Sequence, residues 1–85
     1  MIVILGKSGC GKCEAAKGKM ALLGMEYAYV ELDTGAGRDH EAADDALSIA
    51  IAAGLNITTD IPIIVIDAMA YKYAEAMKEL KARKS

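Results

Sequence analysis

The chain has 85 residues, 54% of them apolar, and a net charge of -2. That is room for one domain with a modest core, which leaves no second unit to enclose a substrate, so any substrate must be met at the surface. The near-balanced charge excludes an electrostatic nucleic-acid surface, and the apolar content excludes a disordered chain.

The first apolar run, Ile2-Val3-Ile4-Leu5, reads as a fully buried strand and is far too short for a signal-peptide core or a membrane span. No later stretch is long enough either, so a soluble, cytoplasmic monomer without membrane contact is the expectation. A Gly6-Lys7-Ser8-Gly9 turn follows. Cys13, Ala16, Met20 and Leu23 then mark one face of a helix that Gly24 ends. Residues 26–32 are β-rich and partly alternating, and they complete a β-α-β unit with parallel strands and a right-handed crossover. A glycine-punctuated loop spans 33–38. Ala43, Ala46, Leu47, Ala50 and Ile51 recur at helical spacing until Gly54. Residues 61–67 read as a third strand with Pro62 at its start, since proline cannot supply a central ladder hydrogen bond. A short fourth strand at 69–71 follows the Asp67-Ala68 turn. The tail from Tyr73 is helical, with Ala76, Met77 and Leu80 inward and the pairs Glu75/Lys78 and Glu79/Arg83 on the solvated side. The order is β-α-β-α-β-β-α, without repeats or linkers.

Chemistry concentrates at Cys10-Gly11-Lys12-Cys13. A strand that feeds a Cys-x-x-Cys at a helix start presents a redox dithiol. Unpaired N–H groups and the positive end of the helix dipole favour a thiolate at Cys10, and Lys7 and Lys12 add positive charge. A disulfide between residues so close in sequence closes a tiny loop and does little for stability, so redox use is the better reading of the only two cysteines. Cys10, nearer the helix N-terminus, is the candidate nucleophile; Cys13, on the inward face, is the candidate resolving thiol. A structural zinc needs four ligands, and the only other good candidate is His40. A metal site would therefore have to be shared between chains, and none is assigned. His40 itself reads as a solvated residue or a cap of the second helix. Tyr71 and Tyr73 read as packing residues of the last helix, with a place in a substrate groove as the alternative. Residues 6–13 also nearly spell a phosphate-binding loop, G-x-x-x-x-G-K-[ST], with 63–67 as a partner strand. Cys13 stands where Mg²⁺ wants a hydroxyl oxygen, and the chain is short for a nucleotide-binding sheet, which makes this the weaker alternative.

The element order, the Cys-x-x-Cys after the first strand and the Ile61-Pro62 that opens the third resemble the thioredoxin superfamily, and the glutaredoxins in size and layout. The resemblance runs over nearly the whole chain, with Lys7 three positions before the first cysteine. It implies a four-stranded mixed sheet flanked by helices, and a thiol–disulfide oxidoreductase that carries no bound cofactor and acts on disulfide-containing proteins or glutathione mixed disulfides. It implies glutathione contact for Lys7, a cis bond before Pro62, and a binding role for the backbone of Ile61. Asp60, beside that proline, is either a polar contact that tunes a thiol or a turn residue. The substrate-facing set is thus Lys7, Lys12, Asp60, Ile61 and Pro62 around Cys10 and Cys13. The sequence departs from the family at two places. Cys-Gly-Lys-Cys replaces Cys-Pro-Tyr-Cys, and Lys72-Tyr73 stands where the glutathione-receiving Gly-Gly falls, with Glu75 the one nearby acid. Glutathione and a thioredoxin-type reductase are both open as the electron source.

Overall fold

The computed structural model describes residues 1–84. The elements follow the expected order: β1 (Ile2–Gly6), α1 (Gly11–Leu23), β2 (Ala28–Glu31), α2 (Ala43–Ala52), β3 (Ile63–Ile66), β4 (Met69–Lys72) and α3 (Tyr73–Lys84). β1 lies parallel to β2 and antiparallel to β3, and β3 lies antiparallel to β4, so the mixed sheet runs β2-β1-β3-β4.

The two uninterrupted apolar strands, β1 and β3, take the centre because only there are both faces covered. Strand alternation then sorts their side chains. Val3, Leu5, Ile63 and Val65 join Ala28 and Val30 beneath α2. Ile4, Ile64 and Ile66 join Ala16, Met20, Ala76 and Leu80 beneath α1 and α3. Each large aliphatic side chain buried this way contributes about 1.5–3 kcal/mol. α2 buries Ala43, Ala46 and Ala50 against the sheet, with Leu47 and Ile49 partly buried at their flanks, and the small residues let the helix backbone approach closely. α1 stops at Gly24, whose φ of 68° suits a residue without a Cβ.

Several strand boundaries differ from the sequence reading. β2 starts only at Ala28, because Met25 N–H turns back to the Met20 carbonyl at 3.0 Å and closes the end of α1. It stops at Glu31, after which the Leu32 N–H makes the last bond to β1, on the Gly6 carbonyl at 2.8 Å. β3 starts at Ile63, since Pro62 has no N–H to give the ladder. Ile51 was expected on the buried face of α2 and is 57% exposed. It lies about a quarter-turn from the alanine face, and the flank that the sheet covers is that of Ile49, which packs against the core. Among the described residues no helix is long and apolar enough to cross a membrane.

Candidate active site

Cys10 is the N-cap of α1. Its backbone is extended (φ -103°, ψ 112°), and its sulfur accepts the Cys13 N–H at 3.1 Å. The thiol thus stands where Ser or Asp caps most helices, facing a donor that the helix itself leaves unpaired. Its sulfur is joined to that of Cys13, with the two Cα atoms 5.2 Å apart. The pair is unequal in access. Cys10 is half-buried, whereas Cys13, one turn on, is wholly covered.

What covers Cys13 is the end of β1 and its neighbour. A Cβ on Gly6 would stand 3.0 Å from the Cys13 sulfur and 2.6 Å from the Tyr29 hydroxyl oxygen, so only glycine fits between them. Tyr29 donates to the Lys7 carbonyl at 3.3 Å. Its ring lies 4.1 Å beneath the ammonium of Lys17, which pairs with Glu14 at 3.0 Å. Desolvation raises the Tyr29 pKa above its ordinary value, with Lys17 opposing, and the phenol keeps its proton at neutral pH.

The turn before Cys10 is pinned from the loop that follows β2. Asp33 accepts the Ser8 N–H at 3.0 Å and the Ser8 hydroxyl, and the Ser8 side-chain bond followed by the backbone bond holds its carboxyl below the ordinary carboxylate value. β3 supplies the other wall. The β1/β3 register pairs Leu5 with Ile63, and continuing it sets Pro62 opposite Gly6 and Ile61 opposite Lys7. The Ile61–Pro62 bond is cis, and Pro62 is buried. By alternation from Ile63, Pro62 shares the Gly6 and Cys13 face of the sheet, and Ile61 lines a recess with Lys7 and Leu32 on the opposite face. Neither backbone group of Ile61 bonds to another described residue.

The register therefore brings Lys7, Ile61, Pro62 and the dithiol to one end of the sheet. Lys12 is exposed on the first turn of α1. Asp60 serves its turn: its carboxylate accepts the Asn56 N–H at 2.8 Å and lies 3.6 Å from the Lys72 ammonium. His40 spends Nδ1 on the Ala42 N–H at 3.0 Å, at the start of α2. Tyr71 and Tyr73 pack against the core under α3. Four residues around the site escape the sequence reading: Tyr29, Asp33 and the apolar Leu32 and Ile57. The only signals for them are Gly6 at a strand end facing the alternating Tyr27-Ala28-Tyr29, and the parallel pairing that carries Asp33 to the level of Ser8. The phosphate-loop reading fails on topology, because β3 runs antiparallel to β1 and no parallel nucleotide-binding sheet forms. Among the described residues no third His, Cys, Asp or Glu joins the cysteines to make a metal cluster.

Comparison with solved structures returns the same architecture. The chain is similar to buckwheat glutaredoxin in complex with glutathione, at TM-score 0.66 and 21% identity over 98% of this chain and 70% of that one. A mutated buckwheat glutaredoxin matches at TM-score 0.65 and 20% identity, covering 98% and 70%. The holo form of glutaredoxin C1 from Populus tremula x tremuloides matches at 0.62 and 22%, covering 96% and 74%. The fold is thus that of the glutaredoxins. No protein-family model and no curated protein matches the sequence.

Proposed function

We propose that this protein is a thiol–disulfide oxidoreductase working through Cys10 and Cys13. The observation that carries the proposal is the asymmetry of the pair: a half-buried cysteine capping a helix and accepting its N–H, and a covered cysteine one turn further on. In the reduced protein the Cys10 thiolate attacks one sulfur of a substrate disulfide. A Cys10–substrate S–S bond forms, the substrate bond breaks, and the leaving thiolate takes a proton. Cys13 then gives up its proton and attacks the Cys10 sulfur, which releases the second substrate thiol. The substrate has gained two electrons and two protons, and the protein holds the Cys10–Cys13 disulfide until a thiol donor reduces it.

Lys7 and Lys12 add positive charge near the sulfurs, and the open backbone of Ile61 beside Pro62 offers a pairing edge to a peptide-like substrate. The buckwheat glutaredoxin solved with glutathione supports glutathione as a donor. A thioredoxin-type reductase is the competing donor, since the Asp60–Lys72 ion pair stands beside the place where the sequence lacks Gly-Gly. Such chemistry suits a reducing compartment such as the cytoplasm, with the protein acting as a monomer.

Alkylation of the reduced protein across a pH series tests the proposal. Cys10 is expected to react as a thiolate below the free-cysteine pKa of about 8.5. Cys10→Ser is expected to abolish turnover with either reductant system. A Cys10 that titrates like a free thiol, together with full activity of the serine variant, overturns the assignment.

A further inference from the structure

On the other face of the sheet from Cys13, at the same end, lies a recess of about 380 Å³ lined by Lys7, Leu32, Asp33, Ile57, Thr58 and Ile61. Its apolar floor is made where Leu32 and Ile57 pack partly against the α2-face core. Its two charged rim residues, Lys7 and Asp33, are of opposite sign, so the rim has no net charge to select an ion. We infer that this recess receives one large apolar side chain of a protein substrate, from the residue next to the cysteine under attack. The inference rests on the redox reading above and names the substrate it favours.

Alternation supplies the placement. A substrate strand laid along the open backbone of Ile61 points its side chains to the two sheet faces in turn. Its cysteine must point to the Gly6 and Pro62 face to reach the dithiol. Its immediate neighbours then point to the Lys7 and Ile61 face, where the recess opens. Residues two away point back towards the dithiol face. Glutathione has glycine on one side of its cysteine and a γ-linked glutamate on the other, so it has no apolar side chain to offer. A protein disulfide flanked by Leu, Met or Phe does.

The test uses the full-length reduced protein and five synthetic peptides. One is Gly-Gly-Cys-Gly-Gly; the others carry a single Leu at -2, -1, +1 or +2 from the cysteine. Each is prepared as the mixed disulfide with thionitrobenzoate. Attack on the peptide sulfur forms the Cys10–peptide bond and expels thionitrobenzoate, the more acidic thiol and better leaving group, whose absorbance reports the rate. Leu at -1 or +1 is expected to raise the second-order rate constant about tenfold over the all-glycine peptide, and Leu at -2 or +2 is not. In Ile57→Asn, whose folding is checked by thermal unfolding, the ratio of Leu to Gly rates is expected to fall close to one. Equal rates for all five peptides, or an adjacent-Leu preference that survives in a folded Ile57→Asn, overturn the recess as a selectivity site. Failure of every peptide to release thionitrobenzoate overturns instead the redox reading beneath it.

Discussion

The two ends of the sheet are each tied together by one exposed aspartate, and they are tied differently. At the dithiol end Asp33 accepts only neutral donors, the N–H and hydroxyl of Ser8. At the far end Asp67 gathers two cations, the N-terminal ammonium and the Arg83 guanidinium, each at 2.9 Å. The far end therefore neutralises its own charge. The dithiol end does not: Lys7 and Lys12 form no ion pair among the described residues. Holding the cysteine turn with neutral donors keeps it in place and leaves nearby positive charge free to act on a sulfur anion. Packing differs in the same sense. The dithiol end has a glycine where no side chain fits, whereas the far end has an alanine where glycine would fit better.

The first part of that contrast gives the largest expected effect. Gly6→Ala puts a methyl group against the Tyr29 hydroxyl and the Cys13 sulfur at once. Tyr29 is held by its bond to Lys7 and by the ammonium above its ring, so little can give way. Overpacking of this kind costs about 1–3 kcal/mol, read as a lower urea midpoint, and thiol–disulfide turnover should fall with it. Tyr29→Phe removes the nearer atom but leaves the ring carbon 3.0 Å from the added methyl. The double variant is therefore expected to recover only part of the loss, and the two changes should be non-additive. An unchanged midpoint in Gly6→Ala would show that the dithiol end is looser than its contacts imply.

The two aspartates separate under salt and acid. Both carboxyls lie below their ordinary value of 3.8 in the folded protein, Asp33 through the Ser8 bonds and Asp67 through the N-terminal ammonium and Arg83. The folded chain thus binds fewer protons than the unfolded chain as the medium acidifies. Each contribution is complete above the unfolded value and is lost as pH falls through the lower folded one. Asp33→Asn and Asp67→Asn are both expected to lower the melting temperature at pH 7 and to converge on the parent protein in strong acid. Added salt should erase the Asp67→Asn effect more than the Asp33→Asn effect, because ion pairs between exposed charges are screened and hydrogen bonds from neutral donors are much less so. Equal salt sensitivity of the two variants would dissolve the distinction.

Local pattern carried much of this into the sequence. Four successive apolar residues in β1 and in β3 could only be central strands, Gly24 could only stop a helix facing a strand, and Cys-x-x-Cys at a helix start marked the chemistry. What stayed hidden depends on register between distant segments. Ser8 and Asp33 are 25 residues apart, and Tyr29 and Lys7 are 22 apart; they meet only because β1 and β2 pair with Val3 beside Ala28. Ile49 and Ile51 stand on opposite flanks of α2, and the helical period alone does not say which flank the sheet covers. The recess at Leu32, Ile57 and Ile61 likewise requires the path of the loop before Pro62, which the Asn56 and Asp60 side chains set through their own turn bonds.

The smallest effect is at the far end, in the two-residue connection between β3 and β4. Ile66 pairs with Met69, and the intervening Asp67 and Ala68 have φ of 49° and 56°, as a hairpin turn matched to the strand twist demands. A left-handed conformation costs a residue with a Cβ roughly 1–2 kcal/mol. Glycine avoids that cost but loses more chain freedom on folding, about 0.5–1 kcal/mol. Ala68→Gly is therefore expected to stabilise the protein by about 0.5 kcal/mol, seen as a slightly higher urea midpoint with the same slope. Asp67→Gly relieves the same backbone but discards the carboxylate that binds the N-terminal ammonium and Arg83, so it should be less stable than the parent at low salt. If both glycine variants shift the midpoint the same way, turn geometry governs the far end and its ion pairs do not.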